Sequence, residues 1–364
     1  VTDPAPPPQL LEVATRVDAR LVTILDGQAA HWRAIDPRLS EAVDELARMV
    51  TSGGKRLRAA FCYWAWRGVG GAEGACGSGQ TGDDPERLII DMGAAFEFLQ
   101  VFALIHDDIM DDSTTRRGTR TVHVTNAERV VERGWRGEPR RYGEGVAILV
   151  GDLGHVYADQ LVGPVGGRAR ELWDELRIEL NLGQYLDMRS AAAGTLDLET
   201  ARLVATFKSA LYTIVRPLQV GAALAGASDP ALLERLDRFG RPLGRAFQLR
   251  DDALGVLGDE VRLGKPVGDD LREGKPTELV AWAAAEATRA QSDLLATIGN
   301  PLLTADQVAE LVQVLHDTGA VARNEAEIAR LVDEASEVLA DLPIDDEARK
   351  ALEALATYVA ERTY

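Results

Sequence analysis

The sequence predicts an all-α protein, and three observations carry that prediction. Apolar residues recur at three-and-four spacing through long stretches, among them "RLSEAVDELARMV", "ERLIIDMGAAFEFLQVFALIHD", "RARELWDELRIELNLGQYLDMRSAAAG", "PALLERLDRFGRPLGRAFQLRDDALGVLG" and "EASEVLADLPIDDEARKALEALATYVAERT". Alternating apolar–polar runs of the strand type are nearly absent. The breaks fall at clusters of Gly, Pro and Asp such as "GVGGAEGACGSGQTGDDP", "RGWRGEPRRYGEG", "VGPVGG" and "GDEVRLGKPVGDDLREGKPTE".

Taken in order, residues 1–9 read as a flexible Pro-rich tail rather than a signal peptide. Residues 10–364 read as one large helical domain with functional loops, because no linker separates two cores and no repeat stands out. The chain has 364 residues, 46% of them hydrophobic, enough for a large core. Its formal net charge of -18 argues against a general nucleic-acid binder. Two cysteines, Cys62 and Cys76, cannot make a disulfide framework, so a reducing, cytoplasmic setting is expected. No apolar run is read as approaching about 18 residues, so no membrane span is expected.

The stretch "LIHDDIMDDSTTRRG", residues 104–118, concentrates the chemistry. It ends a long apolar helix with carboxylates and then places two arginines beyond them. Helical residues advance about 100° and about 1.5 Å each, so Asp107 and Asp111 share a face, with Asp108 beside them. Gln100 and Ala103 lie further up that face. Like charges stacked this way oppose one another unless a cation is shared. Oxygen-only ligands favour a hard ion, Mg²⁺ over Zn²⁺, completed by waters and substrate phosphates. The plain alternative is a solvated acidic helix end, which the apolar run leading into the cluster disfavours. An EF-hand is a poor match, since Ile109 and Asp112 stand where a ligand and Gly belong. A second pair, Asp251 and Asp252, again ends an apolar helical stretch, with Gln248 about a turn earlier.

Basic groups accompany the acids. "TSGGKRLR" sets Lys55, Arg56 and Arg58 after two glycines at a helix start, where backbone and dipole favour an anion. Taken alone it reads equally as a loop before an exposed cationic face, and the Walker pattern is not met. Arg116 and Arg117 follow the first acidic helix. Lys208, Lys265 and Lys275 each lie near a helix end or in a Gly-rich loop. Together these groups describe a helix-walled site for polyanions and Mg²⁺, and the apolar surface running from Asp107 back to Phe96 suits a greasy tail on a diphosphate.

The segments "GGKRLR", "LIHDDIMDDSTTRRG", "FKSALY", "FQLRDD" and "GKPVGDDLREGK", in that order, closely resemble the trans-type isoprenyl diphosphate synthases, or polyprenyl synthetases. The resemblance covers almost the whole chain after the tail. It implies an all-α bundle around a deep central cavity, a homodimer, and Mg²⁺-dependent head-to-tail condensation of isopentenyl diphosphate with an allylic diphosphate. By motif position it implies metal binding by Asp107, Asp108 and Asp111 and by Asp251 and Asp252, with Asp270 supporting through water. Arg116, Lys208 and Lys265 would hold the allylic diphosphate. Lys55, Arg58, Gln100 and Arg117 would hold isopentenyl diphosphate, Ser209 and Gln248 would face the reacting carbons, and Lys275 belongs to a closing loop. One departure is Gly255, where the family's second motif has a third aspartate; the glycine gives less carboxylate support and could leave room for water. Phe102 and Ala103, with Leu99 a turn further up, resemble the pattern of a synthase making twenty-carbon geranylgeranyl diphosphate; farnesyl or longer products are the alternative, and ordinary core packing is the plain reading of Phe102. A class I terpene cyclase shares the acidic helices but needs no second diphosphate site, so Lys55, Arg58 and Arg117 favour transfer. A non-catalytic synthase subunit is disfavoured by the intact first motif, though Gly255 lends it slight support.

Overall fold

Helix α1 runs Pro8–Ile35, and the next residue, Asp36, caps α2 (Pro37–Thr51): its carboxylate accepts from the Arg38 N–H, while Pro37 takes a first-turn position where a missing N–H costs nothing. The same acid–proline step recurs. Asp84 caps α4 (Pro85–Met110), Glu138 caps α6 (Pro139–Val162) and Asp229 caps α10 (Pro230–Leu257). Between them lie α3 (Leu57–Gly68), α5 (Val122–Glu132), α7 (Gly167–Ala193), α8 (Leu198–Val204) and α9 (Arg216–Leu224). Then come α11 (Asp269–Glu273), α12 (Glu278–Glu286), α13 (Arg289–Leu295), α14 (Ala305–Asp317), α15 (Ala320–Ala340) and α16 (Asp346–Glu361). This is a computed structural model that describes residues 5–73, 84–194, 197–258 and 268–361. The expected all-α class holds; among the described residues the only sheet is a two-stranded ribbon, Thr115–Arg116 with Thr119–Arg120.

The chain packs as two compact units. One comprises Pro8–Tyr63 and Cys76–Gly166, the other Trp64–Ala75 and Gly167–Tyr364 with the first seven residues. The boundary therefore falls inside α3. The single domain expected over residues 10–364 becomes a proposal about cooperative unfolding.

In the first unit α4 is the buried helix, with Phe96, Phe98, Leu99, Val101 and Ile105 all withdrawn from solvent. By length and composition α4 could cross a membrane, its most apolar window having a mean hydropathy of 1.9, yet 67% of that window is buried in the fold. The sequence reading that no apolar run approaches such a length is corrected here. Glu97 and Gln100 interrupt the run without lowering its average enough to matter. Burial against neighbouring helices accounts for the helix as core.

In the second unit α10 is central. Leu249 and Val256 on it join Leu279, Trp282, Leu311, Leu315 and Leu331 in one apolar cluster. Between α8 and α9 the helix widens into a π-helical segment, Ala205–Val215, which ends just before Pro217. Neighbours approach this segment at backbone range, because a Cβ on Gly183 of α7 would lie 2.8 Å from the Phe207 carbonyl carbon and one on Gly244 of α10 would lie 2.6 Å from Ala210 Cα. Such π segments often mark functional positions, and this one carries Lys208 and Ser209.

Candidate active site

The apolar face of α4 withdraws its last turn from water, so the first acidic motif is only partly solvated. Asp108 is 1% exposed, while Asp107 and Asp111 are half-buried. Burial pushes the Asp108 carboxyl up to about 6, against the pull of Arg116 and with a further push from Asp107 and Asp111. Arg116 donates from Nε to Asp108 Oδ1 at 2.7 Å and lies 3.5 Å from Asp107 Oδ2. Burial alone would weaken its charge, but Asp108 and Asp107 more than reverse that.

Arg116 and Arg117 point their guanidinium groups to different partners because a tight turn separates them. The ribbon pairs Thr115 with Arg120 and Arg116 with Thr119, leaving Arg117 and Gly118 as the turn, both with positive φ (52° and 73°). This is the type I′ pattern, which favours Asn-Gly or Asp-Gly. An arginine in that conformation is strained, and strain of this kind collects at functional sites. Two further non-glycine residues share it, Arg56 (53°) and Asp112 (53°), and both lie in or beside the sequence motifs.

Arg117 reaches the Gly-Gly loop, where it donates to the Gly53 carbonyl and approaches Ser52 Oγ at 3.4 Å. Burial lowers its affinity for a proton; Glu97 opposes this, and the nearby cations Arg56, Arg116 and Arg58 add to it. Lys55 is half-buried on the same loop, Arg58 is half-buried in the first turn of α3, and Gln100 is half-buried on α4. Arg56, Arg58 and Arg116 thus lie close enough to Arg117 for their charges to act on it, and Arg116 also holds the first carboxylates.

In the second unit the acids of α10 divide. Asp251 is exposed, and Asp252 is buried and accepts from Gln248 Nε2 at 2.6 Å. Burial raises the Asp252 carboxyl well above the ordinary range, with Gln248 opposing and Asp270 and Asp251 adding to the shift. Gln248 is therefore engaged by a carboxylate. Lys208 donates to Asp187 Oδ2 at 2.6 Å, and its neighbour Ser209 is buried. Lys275 contacts Asp270 Oδ1 at 3.3 Å and Glu273 Oε2 at 2.5 Å. Lys265 lies outside the described residues.

Gly255 requires a correction. The sequence reading left open space there, but a Cβ at Gly255 would fall on Asp270 Oδ2 and lie 2.7 Å from Asp270 Cγ. The Asp270 carboxylate, presented from α11, already fills the space that a third aspartate on α10 would need.

The residues fit a divalent cation. Asp108 Oδ2 is buried without a hydrogen-bond partner, and a guanidinium stands beside Asp107 and Asp108 as a substitute positive charge. All the donors are carboxylates, which suits a hard ion. Among the described residues no group of three or more His, Cys, Asp or Glu could hold a metal by itself.

The polyprenyl synthetase family profile matches residues 39–315. The chain belongs to the polyprenyl synthetase family. As a family member it is a trans-prenyltransferase of the isoprenyl diphosphate synthase type. A geranylgeranyl pyrophosphate synthase from Corynebacterium glutamicum, solved in complex with isoprenyl diphosphate and magnesium, superposes with a TM-score of 0.89 at 35% identity, over 97% of this chain and 99% of that one. The geranylfarnesyl diphosphate synthase of Aeropyrum pernix is 31% identical across 93% of this chain and 99% of its own. The nonaprenyl diphosphate synthase of Mycobacterium tuberculosis is 28% identical across 88% of this chain and 86% of its own.

Within this polyprenyl synthetase, Ala103 is half-buried and Leu99 is sealed in the core. The Phe102 ring meets His106 of its own helix at 4.7 Å and His155 of α6 at 5.0 Å between centroids. Three residues were missed by the sequence reading. Asp187 fixes Lys208 from another helix, and Glu97 is a buried acid inside an apolar run. Arg56 was seen only as one of a basic cluster. A lone charge in the apolar stretch around Glu97 was the available signal.

Proposed function

We propose that this synthase condenses isopentenyl diphosphate with an allylic diphosphate, head to tail and with Mg²⁺, to give geranylgeranyl diphosphate. The observation that carries the reading is a carboxylate group with two differently directed arginines: Arg116 on Asp107 and Asp108, Arg117 at the Gly-Gly loop. A cyclase needs one diphosphate site; two directed cation groups serve two. Bound Mg²⁺ would add positive charge to the leaving diphosphate and ease C–O cleavage.

Asp107, Asp108 and Asp111, with Asp251 and Asp252, would hold the ions. Arg116 would hold the allylic diphosphate, and Lys55, Arg58, Gln100 and Arg117 would hold isopentenyl diphosphate with its alkene near the forming cation. In the second unit Lys208 and Lys275 are each held by carboxylates that an incoming anion would compete with. The C–C bond forms at the cation, and the released diphosphate takes the proton that is then lost.

The relatives' products differ in length, so the twenty-carbon product rests on Phe102 and Ala103. The homodimer and the cytoplasmic setting belong to the same proposal. Purified protein is to be incubated with Mg²⁺, isopentenyl diphosphate and each allylic diphosphate in turn, and the dephosphorylated products chromatographed. Geranylgeraniol as the main product, lost on chelation, is expected. Cyclised hydrocarbon, or no condensation with any substrate, would overturn the reading.

A further inference from the structure

Three cations follow the Gly-Gly loop in sequence, and the fold treats one of them differently. Arg56 is 5% exposed, with its side chain turned into the first unit. Its guanidinium is held at three points: Nε donates to Asp18 Oδ1 at 2.7 Å, Nη1 to Glu97 Oε2 at 2.7 Å and Nη2 to the Val50 carbonyl at 2.9 Å. These partners lie on α1, α4 and the last turn of α2, so one side chain ties three helices to the loop. The backbone adapts to allow it, with φ of 53° at Arg56, 105° at Gly53 and 150° at Gly54.

Gly54 explains the second half of the arrangement. A Cβ there would lie 2.8 Å from Arg56 Nη1 and 3.4 Å from Arg117 Nη2. The glycine is thus covered by two guanidinium groups at once, one of them also bonded to the Gly53 carbonyl. Glu97, 3% exposed, supplies the negative charge beneath them, and its Oε1 has no hydrogen-bond partner. Burial would weaken the Arg56 charge, but Glu97 and Asp18 more than restore it.

We infer that Arg56 is a positioning residue for the second-diphosphate site. Held by Glu97, Asp18 and Val50, it sets the Ser52–Arg56 loop against Arg117, so that Lys55, Arg58 and Arg117 are pre-arranged for one diphosphate. Arg56 does not itself touch substrate. This rests on the proposed reading that Lys55, Arg58 and Arg117 receive isopentenyl diphosphate.

The test compares the wild type with Arg56→Lys and Glu97→Gln in the full chain. Arg56→Lys keeps a charge but loses the three-point geometry. Hydrogen exchange of residues 52–57 in the ligand-free protein should be at least tenfold faster in Arg56→Lys. Its KM for isopentenyl diphosphate should rise at least tenfold, with kcat and the allylic KM within threefold of wild type. Glu97→Gln should move both readouts the same way by less. Unchanged exchange would overturn the positioning role whatever the activity. Faster exchange with kcat and thermal stability falling and both KM values rising together would also overturn it, as a merely structural role. If the wild type neither binds nor condenses isopentenyl diphosphate, the functional reading fails, and the assignment of this loop to that substrate fails with it, while the exchange result still decides whether Arg56 orders the loop.

Discussion

Gly255 shows how much a single hydrogen atom in place of a side chain can decide. The Asp270 carboxylate sits where a Cβ at Gly255 would go, so Gly255→Asp over-packs the site and should lower stability by about 1–3 kcal/mol without easing the Mg²⁺ requirement. The double variant Gly255→Asp with Asp270→Gly exchanges the two positions and should recover most of the lost stability. Thermal melts with Mg²⁺ and pyrophosphate titrations on all three proteins check this; equal melting of wild type and Gly255→Asp would refute the steric argument. Asp107→Ala should reduce kcat at least a hundredfold with little change in melting temperature, because Asp107 is half-buried and Arg116 keeps Asp108 as its main partner. His123 offers a pH test outside the proposed metal ligands. It is 6% exposed, its Nδ1 has no hydrogen-bond partner, and burial lowers its pKa against the pull of Asp112 and Glu144. A base with a depressed folded pKa contributes stability that is complete above the unfolded value of about 6.5 and is lost as pH falls through the folded one. Melting temperature should therefore fall from about pH 7 to about pH 5 more steeply in wild type than in His123→Gln.

At the level of elements, the starts of helices were legible because acid–proline steps act locally, as at Asp36–Pro37 and Asp84–Pro85. The first acidic motif was legible too, since spacing alone puts Asp107 and Asp111 one turn apart. The π-helical segment was not, because no local pattern marks it and its close neighbours, Gly183 and Gly244, lie on other helices. Nor was the inward turn of Arg56, whose partners lie up to 41 residues away in sequence. Helix α4 carries the length prediction. Ala103→Phe should shift product toward fifteen carbons, and Phe102→Ala toward longer chains. The ring contacts of Phe102 with His106 and His155 mean that Phe102→Ala also opens a gap against α6, costing about 3–5 kcal/mol if it cannot close. A stability loss with unchanged product would make Phe102 packing alone and place the floor elsewhere; chromatography and melting together separate the two.

For the whole chain, the two units share a helix. Leu57–Tyr63 of α3 belongs to one unit and Trp64–Gly68 to the other. The second half is anchored by the C-terminal region: the Asp345 N–H donates to the Gly68 carbonyl at 3.0 Å, Arg67 pairs with Glu347 at 3.1 Å, and a Cβ on Gly68 would lie 2.8 Å from Ala348 Cβ. Because one helix runs through both units, melting should be a single transition by both circular dichroism and tryptophan fluorescence. Deleting α16 (Asp346–Glu361) should split or broaden it, since Trp64 and Trp66, both now buried, lie in the half of α3 that loses its anchor. Two separate transitions in the intact chain would contradict the single-domain expectation.

The partners of Gly68 are therefore made long after Gly68 itself. Translation delivers α3 and leaves its second half waiting for some 280 residues. Through that interval Trp64 and Trp66 sit on a helix half that lacks its anchor, and exposed apolar surface of that kind is what chaperones hold and what aggregates when they do not. Protecting one tryptophan-bearing turn until Asp345 and Ala348 are made is thus a demand that this fold places on its own synthesis.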